Sequence, residues 1–439
     1  MPTAATSIYY ALVVAWGASF YQFYLRDVFT TTLGLGRVVQ DIGEFPYDCR
    51  RIVHPRLEAC EDMWLDNEGR VLYAACAGTE ARVNWCQAAD KFNVSARRPG
   101  ASELIALDID EPGVEGMYNL RSIRPMGYTG AQGDGDDSFD LLGFDAEVLD
   151  GDTIQFYFVN ERPPVGPFNN HIDASVVGIN STIDVFEMRR GEEVMRHLRT
   201  ILSRAVHDPN RVAALGQGEF VVSNFHSAKT GWRKKLDFVI GGGSVAFCNV
   251  NGDCHTAVSG DEPDEILSAN IDPQPLYKEY LNKALSVLPK TKLKLPNGLT
   301  RGFDNLIYVP SSVDGQIRVY AINSHSLLQQ IDTVYTGMPL DNISPDARGD
   351  LYVAGFPDIR ATVKGMADPT NLDVPSTILR IRKTVDLERK KVDYRVEKVL
   401  EDREGKIVSG ATTVRHDVRT GRLWMGAAVH PYIMVCDPR

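Results

Sequence analysis

The chain has 439 residues, of which 44% are hydrophobic and 24% are charged, so its composition excludes a long disordered chain. The chain has 47 Lys and Arg residues against 58 Asp and Glu residues, and its formal net charge is -11. It contains no dense block of basic residues, so nucleic acid is a poor partner. This length allows two or three ordinary domains or one large closed β architecture.

The N-terminal stretch at 7–25 contains no charged residue and is rich in aromatic residues. About 19 residues at helical rise just span a bilayer core, and Tyr, Trp and Phe suit its interfaces. We therefore predict that residues 1–30 form a membrane anchor or signal segment, followed by a linker at 31–48. A cleaved signal peptide is the alternative to a retained anchor, because Ala15 and Gly17 form a passable processing site. A buried helix is a third reading.

Two glycosylation sequons begin at Asn93 and Asn180 and agree with a secretory-pathway protein whose body is lumenal or extracellular. The seven cysteines include no C-x-x-C pair, and no His lies at zinc-ligand spacing, which argues against a zinc module. Cys248 and Cys254 flank a turn-rich loop and could close a small disulfide ring.

The body at 49–439 repeats one pattern, in which an approach strand, a turn rich in Asp or Gly and a return strand follow one another. The six copies lie at 63–78, 142–160, 212–224, 297–311, 340–355 and 412–429. They predict an all-β fold, a six-bladed β-propeller with a few peripheral helices and an N-terminal hydrophobic helix. The alternative is one or two β-sandwiches. Amphipathic helices are predicted at 192–205 and 275–288.

Oxygen-bearing side chains stand where these hairpins begin, namely Glu61, Asp62, Asn210, Asn297, Asp341 and Asn342. Each alone is typical of a turn cap or a surface acid. In a propeller, the same positions of different blades converge on the central channel. A shell made only of oxygen donors suits Ca²⁺ better than zinc or iron.

Three motifs resemble those of the paraoxonase/arylesterase family of calcium-dependent six-bladed propellers. They are Cys60-Glu61-Asp62-Met63, Pro296-Asn297-Gly298-Leu299 and Leu340-Asp341-Asn342-Ile343-Ser344, and the resemblance runs from about Cys49 to Cys436. It implies one catalytic calcium ion bound by Glu61, Asn210, Asn297, Asp341 and Asn342. It also implies that Asp62 binds a structural calcium ion and that Cys49 and Cys436 form a disulfide.

The chain departs from the family at three positions. Arg211 stands where the family has an Asp, which makes the second, structural calcium doubtful. Either Arg211 pairs with Asp62 in place of that ion, or Asp145 supplies the missing oxygen. Leu142 and Glu161 stand at the positions of the family's two catalytic His residues, so the His dyad is missing.

These features predict a calcium-dependent arylesterase or lactonase, in which water attacks a carbonyl that the metal polarises. Candidate general bases are Glu61, Glu161 and His226, and burial would raise the pKa of Glu161 toward neutrality. The alternative is a non-catalytic propeller that calcium stabilises and that binds a small apolar ligand. A metal-free propeller similar to strictosidine synthase is a third hypothesis. It is disfavoured because the side chains expected to bind calcium are present in this sequence.

Overall fold

Strands dominate the computed structural model, which describes residues 4–22, 26, 28–130, 136–258, 293–386 and 391–439. The α-helices of this part are short apart from the first, and they are α1 (Ala4–Phe20), α2 (Thr79–Asn84), α3 (Ala174–Val177), α4 (Asp237–Ile240) and α5 (Ile359–Ala367).

The strands of the first half of the chain are β1 (Tyr47–Ile52), β2 (Cys60–Asp66), β3 (Val71–Cys76), β4 (Trp85–Cys86), β5 (Lys91–Phe92), β6 (Glu103–Asp108), β7 (Arg121–Met126), β8 (Leu141–Val148), β9 (Thr153–Arg162), β10 (Asn180–Arg189), β11 (Val194–Ile201), β12 (Pro209–Gly216) and β13 (Glu219–Asn224). The strands of the second half are β14 (Ser244–Cys248), β15 (Cys254–Val258), β16 (Thr300–Arg301), β17 (Ile307–Pro310), β18 (Gln316–Ile322), β19 (Leu328–Tyr335), β20 (Leu340–Pro345), β21 (Leu351–Gly355), β22 (Ser376–Asp386), β23 (Lys391–Asp402), β24 (Ala411–His416), β25 (Leu423–Ala427) and β26 (Ile433–Pro438).

Most of these strands form four-stranded antiparallel meanders. Four meanders are separate sheets, with the strand orders β12-β13-β14-β15, β16-β17-β18-β19, β20-β21-β22-β23 and β1-β26-β25-β24. Two more meanders share one eight-stranded sheet, because the outer strands β7 and β11 pair in parallel. The result is a propeller-like all-β fold. It differs from six separate blades in this one double sheet.

The first strands of the meanders line the centre of the molecule. They contact one another in the cyclic order β2, β8, β12, β16, β20, β24 and back to β2. Apolar clusters fill the spaces between neighbouring meanders, so second strands such as β3, β21 and β25 are buried on both faces. This explains their apolar sequences, Val-Leu-Tyr-Ala-Ala-Cys in β3 for example.

The two ends of the body meet in one sheet, where β1 pairs with β26. Cys49 lies directly opposite Cys436 in this pair and forms the expected disulfide with it, across a sequence separation of 387. In the chain-entropy description, closing so long a loop stabilises the folded protein by up to about 5 kcal/mol. Cys248–Cys254 and Cys60–Cys76 are also disulfides between opposed residues of neighbouring strands. Such bridges are typical of proteins that fold in an oxidising compartment.

Two helix predictions fare differently. The prediction at 192–205 is wrong, because the stretch forms β11, whose pairing with β10 and β7 outweighs the helical periodicity of its sequence. The prediction at 275–288 lies outside the described residues. All six predicted hairpins are present, as β2/β3, β8/β9, β12/β13, β16/β17, β20/β21 and β24/β25.

The N-terminal segment contains helix α1, which has 17 residues. The anchor or signal segment expected at 1–30 stays a prediction. Among the described residues, no helix is both long enough and apolar enough to cross a membrane. The stretch expected as a linker contacts the body, since Arg37 donates hydrogen bonds to the backbone oxygens of Pro357 and Gly337 (both 2.6 Å).

Candidate functional site

A break in strand pairing occurs near the start of every first strand that lines the centre. The register shifts between Cys60 and Asp62 in β2, so Glu61 is left unpaired. Similar shifts leave residues 142–143, 210–211, 341–342 and 412 unpaired, and residues 297–299 lie between an isolated bridge and β16. A β-bulge turns the side chain of the extra residue away from the sheet. The bulges therefore explain how the predicted ligands leave the pairing of their strands near the centre of the molecule.

Five of the predicted ligands, Glu61, Asn210, Asn297, Asp341 and Asn342, form what we call the oxygen cluster, and all five are buried. Four of its oxygens make no hydrogen bond although they are fully enclosed: Glu61 Oε2, Asn210 Oδ1, Asp341 Oδ1 and Asn342 Oδ1. A buried oxygen without a partner costs roughly 1–3 kcal/mol. The four oxygens come from three strands, and each lacks a partner within the described part of the chain.

Hydrogen bonds hold two members of the cluster in contact. Asn342 Nδ2 donates to the backbone oxygen and to Oε1 of Glu61, both at 3.2 Å. Thr412 Oγ1 donates to the same backbone oxygen at 3.1 Å. Because its amide nitrogen is committed to Glu61, the Oδ1 of Asn342 is left free to accept from a cation.

The two carboxyl groups of the cluster lie in an environment that disfavours negative charge. Burial raises the pKa of Glu61 to about 7, with Arg82 opposing and Asp62 adding to the rise. Burial, then Glu61 and Asp62, raise the pKa of Asp341 well above its ordinary value. A bound cation would reverse this preference by pairing with both carboxylates.

Asn297 reaches the cluster through the residue that follows it. A side chain at Gly298 would collide with Asn342, since a Cβ atom there would lie 1.7 Å from Asn342 Oδ1. Only glycine allows this approach. Asn297 Oδ1 accepts from Gly298 N at 2.7 Å, so this oxygen, unlike the Oδ1 atoms of Asn210 and Asn342, already has a partner.

Asp62 stands apart from the expectation that it binds a structural calcium ion. Its Oδ2 accepts from Arg211 Nε (2.6 Å) and its Oδ1 from Arg415 Nη2 (3.3 Å). Thr413 Oγ1 and the backbone nitrogen of Phe144 donate to it as well. We call Asp62, Arg211 and Arg415 the arginine hub. The first alternative for Arg211 is the one present, and no lone pair of Asp62 faces an open position.

Asp145 does not replace the missing oxygen. Its Oδ2 accepts from the backbone nitrogen of Ala214 at 3.0 Å, and burial raises the pKa of its carboxyl group while Arg211 opposes the rise.

Glu161, one of the candidate bases, is fully enclosed by donors. Its Oε2 pairs with Arg82 Nη1 at 3.0 Å and its Oε1 accepts from Gln87 N at 3.3 Å. Arg82 also donates to the backbone oxygen of Leu141. Burial raises the pKa of Glu161 to about 7, although Arg82 opposes the rise. The direction agrees with the expectation from sequence, but neither oxygen is left for substrate or water.

His226, the third candidate base, belongs to a pair that sequence reasoning missed. Its Nδ1 is 2.7 Å from Asp208 Oδ2, and both side chains are buried. Burial acts to raise the pKa of Asp208, but the bond to His226 lowers it below its usual value. Pro209 pairs with Asn224 in the β12/β13 hairpin and Phe225 N donates to the backbone oxygen of Asp208, so His226 follows the residue opposite Asp208. That register is the signal that could have revealed the pair.

One residue connects the His226–Asp208 pair with Glu161. Gln87 Nε2 donates to Asp208 Oδ1 at 2.7 Å, and the backbone nitrogen of Gln87 donates to Glu161. In the sequence, Asp208 lies two residues before Asn210, a member of the oxygen cluster.

His430 has a structural position. It is buried, lies 3.0 Å from Ser409 Oγ, and burial lowers its pKa to about 4.

The Asn residues of the two glycosylation sequons differ in exposure. Asn93 is exposed and caps a short 3₁₀ turn, so its modification stays a prediction. Asn180 is buried in β10, and its modification also stays a prediction.

Within the described ranges, no three His, Cys, Asp or Glu side chains are grouped to hold a metal ion. The oxygen cluster contributes two carboxylates, and its remaining donors are amide oxygens. Hard cations such as Ca²⁺ accept that mixture of carboxylate and neutral oxygen, whereas zinc and copper prefer nitrogen and sulfur.

Comparison with known proteins gives matches to one enzyme family. The arylesterase family model matches residues 286–437. Serum paraoxonase/arylesterase 2 of Rattus norvegicus is 22% identical over 270 residues, covering 61% of this chain and 63% of that protein. Serum paraoxonase/arylesterase 1 of Mus musculus is 23% identical over 271 residues, covering 61% and 62%. The chain thus spans less than two thirds of the length of the curated relatives it matches.

Solved structures are more distant. A luciferin-regenerating enzyme has a TM-score of 0.45 at 11% identity, covering 89% of this chain and 95% of that one. Virginiamycin B lyase of Staphylococcus aureus has a TM-score of 0.39 at 8% identity, covering 89% and 99%. At these TM-scores the likeness says nothing about function.

The family match includes three of the five cluster residues, Asn297, Asp341 and Asn342. The chain is therefore similar to the paraoxonase/arylesterase family, and its match to the family model lies at residues 286–437.

Proposed function

We propose that the protein is a calcium-dependent hydrolase of aryl esters or lactones. The observation that carries this proposal is the set of four enclosed, unpartnered oxygens at the centre of the ring. The family match at 286–437 supports hydrolysis of a carboxylic ester as the class of reaction. The proposal includes a count of six blades, in which the eight-stranded sheet acts as two of them.

The residues that would hold the ion are those of the oxygen cluster. Glu61 and Asp341 supply the charge, and Asn210, Asn342 and Asn297 supply neutral oxygens. When bound, calcium polarises the ester carbonyl and stabilises negative charge on its oxygen. The Cys60–Cys76 disulfide fixes the backbone directly before Glu61.

His226 is the residue that we assign to proton transfer. Its Nδ1 is held by Asp208, and its Nε2 forms no hydrogen bond within the described part of the chain. In this arrangement the imidazole takes the proton of the attacking water at Nε2, while the Asp208 carboxylate fixes the ring and stabilises the imidazolium. Asp208 is therefore a positioning residue, as are Gln87 and Glu161.

The first test measures hydrolysis of phenyl acetate and of an aliphatic lactone, with saturating calcium and with excess chelator. We expect the rate to fall by at least about 100-fold in chelator and to return when calcium is restored. Activity that persists in chelator contradicts the proposal. Calcium binding without hydrolysis of any ester would favour the alternative, a non-catalytic propeller that calcium stabilises.

The second test compares His226→Gln with Glu161→Gln. His226→Gln should lower kcat by roughly 10²–10⁴-fold and leave calcium affinity, measured by titration calorimetry, unchanged. Glu161→Gln keeps the shape of the side chain, so its effect should be less than about tenfold. The reverse order of the two effects would make Glu161 the base.

A further inference from the structure

A second cavity lies at the other end of the channel that the first strands line. Its volume is about 520 Å³. Residues from all six first strands contribute to its wall, together with the β16/β17 turn: Trp64, Asp145, Arg211, Arg301, Phe303 and Arg415 among them. The cavity shares no residue with the oxygen cluster.

The strands themselves give the distance between the cavity and the oxygen cluster. Leu65, Ala214 and Pro345 line the cavity, and each follows a cluster residue of the same strand by four positions, after Glu61, Asn210 and Asp341 respectively. Four residues of strand extend roughly 13 Å. The cavity is therefore separate from the site assigned to ester hydrolysis, and the arginine hub lies between them.

The floor of the cavity contains guanidinium groups with unused donors. Arg211 commits Nε to Asp62 and Nη1 to backbone oxygens of residues 298, 299 and 343. Arg415 commits Nε to the backbone of Met63 and Nη2 to Asp62. Within the described residues, Nη2 of Arg211 and Nη1 of Arg415 make no hydrogen bond, and neither is among the fully enclosed unpartnered atoms. Both therefore remain open to the cavity.

Two guanidinium groups, both at least nine-tenths buried, pair with the carboxylate of Asp62, and the carboxylate of Asp145 in the cavity wall also acts on both of them. Their two free donors are still without an acceptor, and the two oxygens of a ligand carboxylate can accept from both.

The acidic side chains of the wall are already engaged with other partners. Asp346 pairs with His416 at 2.8 Å. Glu147 accepts from the hydroxyl of Tyr157 at 2.6 Å, and Asp145 accepts from Ala214 N. None of the three makes an ion pair with Arg211 or Arg415 within the described ranges.

The upper wall is apolar and partly aromatic. Trp64 is half-buried against Tyr73 and Phe156, and Phe303 at the rim has 66% of its surface exposed. Leu65 and Pro345 complete this side. An exposed Phe beside a half-buried Trp suits the flat, apolar body of a small ligand.

We propose that this cavity is a binding site for a small organic acid, whose carboxylate contacts Arg211 and Arg415 and whose apolar body contacts Trp64 and Phe303. The site is distinct from the oxygen cluster and does not depend on the hydrolase activity.

Titration calorimetry with benzoate and, as the matched neutral probe, benzamide tests this site on the calcium-loaded protein. We expect benzoate to bind with 1:1 stoichiometry and benzamide to bind at least about tenfold more weakly, because it lacks the charge. No heat from benzoate up to about 10 mM, or equal affinity for the two probes, overturns the proposal.

Variants locate the bound probe. Arg415→Gln should weaken benzoate at least about tenfold, and Phe303→Ala, at an exposed rim position that cannot disturb the core, about threefold. Glu61→Gln should leave benzoate affinity unchanged. Should Arg415→Gln fail to fold, the contrast between Phe303→Ala and Glu61→Gln decides, since benzoate that responds to Glu61 and ignores Phe303 is bound at the oxygen cluster and the proposal is wrong.

Discussion

The oxygen cluster and the arginine hub occupy neighbouring positions of the same strands. They differ in whether their buried polar groups have partners. Glu61 precedes Asp62, and Asn210 precedes Arg211. In the hub, Asp62 is fully buried yet paired with Arg211 and Arg415. In the cluster, four enclosed oxygens have no partner. Arginine side chains thus supply the positive charge at the arginine hub, whereas the four oxygens of the oxygen cluster have no partner within the described residues.

This contrast explains what the replacement of an acid by Arg211 does to the ring. A guanidinium group at the centre holds the first strands together without a metal, since it contacts Asp62 of β2 and the backbone oxygen of Ile343 in β20. On the proposed function, the fold needs one external ion, at the oxygen cluster, because Arg211 already pairs with Asp62.

The largest effect that we predict is in the hub. Asp62→Asn leaves two buried guanidinium groups without a counter-charge and should lower the free energy of unfolding by about 3–5 kcal/mol. Denaturant unfolding in calcium measures it. The control is Glu68→Gln, which removes the exposed partner of Arg190 and should change stability by about 0–1 kcal/mol. Equal stability of the Asp62 variant and the wild type would contradict the role that we give to the hub.

Calcium removal is the corresponding change in the cluster. Calcium at 100 times its dissociation constant should stabilise the folded protein by about 2.7 kcal/mol, because it binds only the folded chain. Thermal unfolding in calcium and in chelator measures the shift. Magnesium at the same concentration is the control, since it demands small octahedral sites and should restore little of the loss. An unchanged melting temperature in chelator would mean that the cluster binds no ion.

In metal-free protein, Asp341→Asn should change the free energy of unfolding in the opposite direction to Asp62→Asn. It removes one of two enclosed carboxylates that repel each other, so the free energy of unfolding without calcium should rise by about 1–2 kcal/mol. Calcium affinity should fall by at least about 100-fold, because the number of ligand charges sets it. Denaturant unfolding in chelator and titration calorimetry check the two parts. Destabilisation of the metal-free protein would make Asp341 an ordinary structural residue.

The sequence predicted the ring and the oxygen cluster because both depend on local patterns. The six hairpins follow from alternation and turn residues, and Glu61, Asn210, Asn297, Asp341 and Asn342 stand where those hairpins begin. Even the pairing of Arg211 with Asp62 was among the alternatives, since an Arg cannot replace a metal ligand.

What the sequence did not reveal depends on contacts between distant residues. Asp208 and Gln87 gain their roles only when blades are packed side by side, and no motif surrounds either. The stretch at 194–201 has helical periodicity but forms an outer strand, because a neighbouring meander offers it a pairing edge. Asn180 fits a sequon, yet its strand is buried.

The smallest effect is the pH dependence of metal-free protein. Burial raises the pKa of Glu61 to about 7, and the ordinary value is 4.5. A raised carboxyl pKa means that the folded chain binds the proton more tightly than the unfolded chain. Stability is therefore highest below pH 4.5 as far as this group is concerned, and it is lost as the pH rises toward 7. In chelator, the melting temperature should fall by a few degrees between pH 5 and pH 8.

Calcium should reverse this dependence. The ion binds the ionised carboxylates, so protons compete with it and its stabilisation should grow between pH 5 and pH 8. Glu61→Gln is the matched variant, because it keeps the size of the side chain and removes the titrating group. Its melting temperature in chelator should vary less with pH than that of the wild type. A wild-type protein whose metal-free stability instead rises over this range would show that Glu61 is ionised without any ion, and the oxygen cluster would then resemble the arginine hub after all.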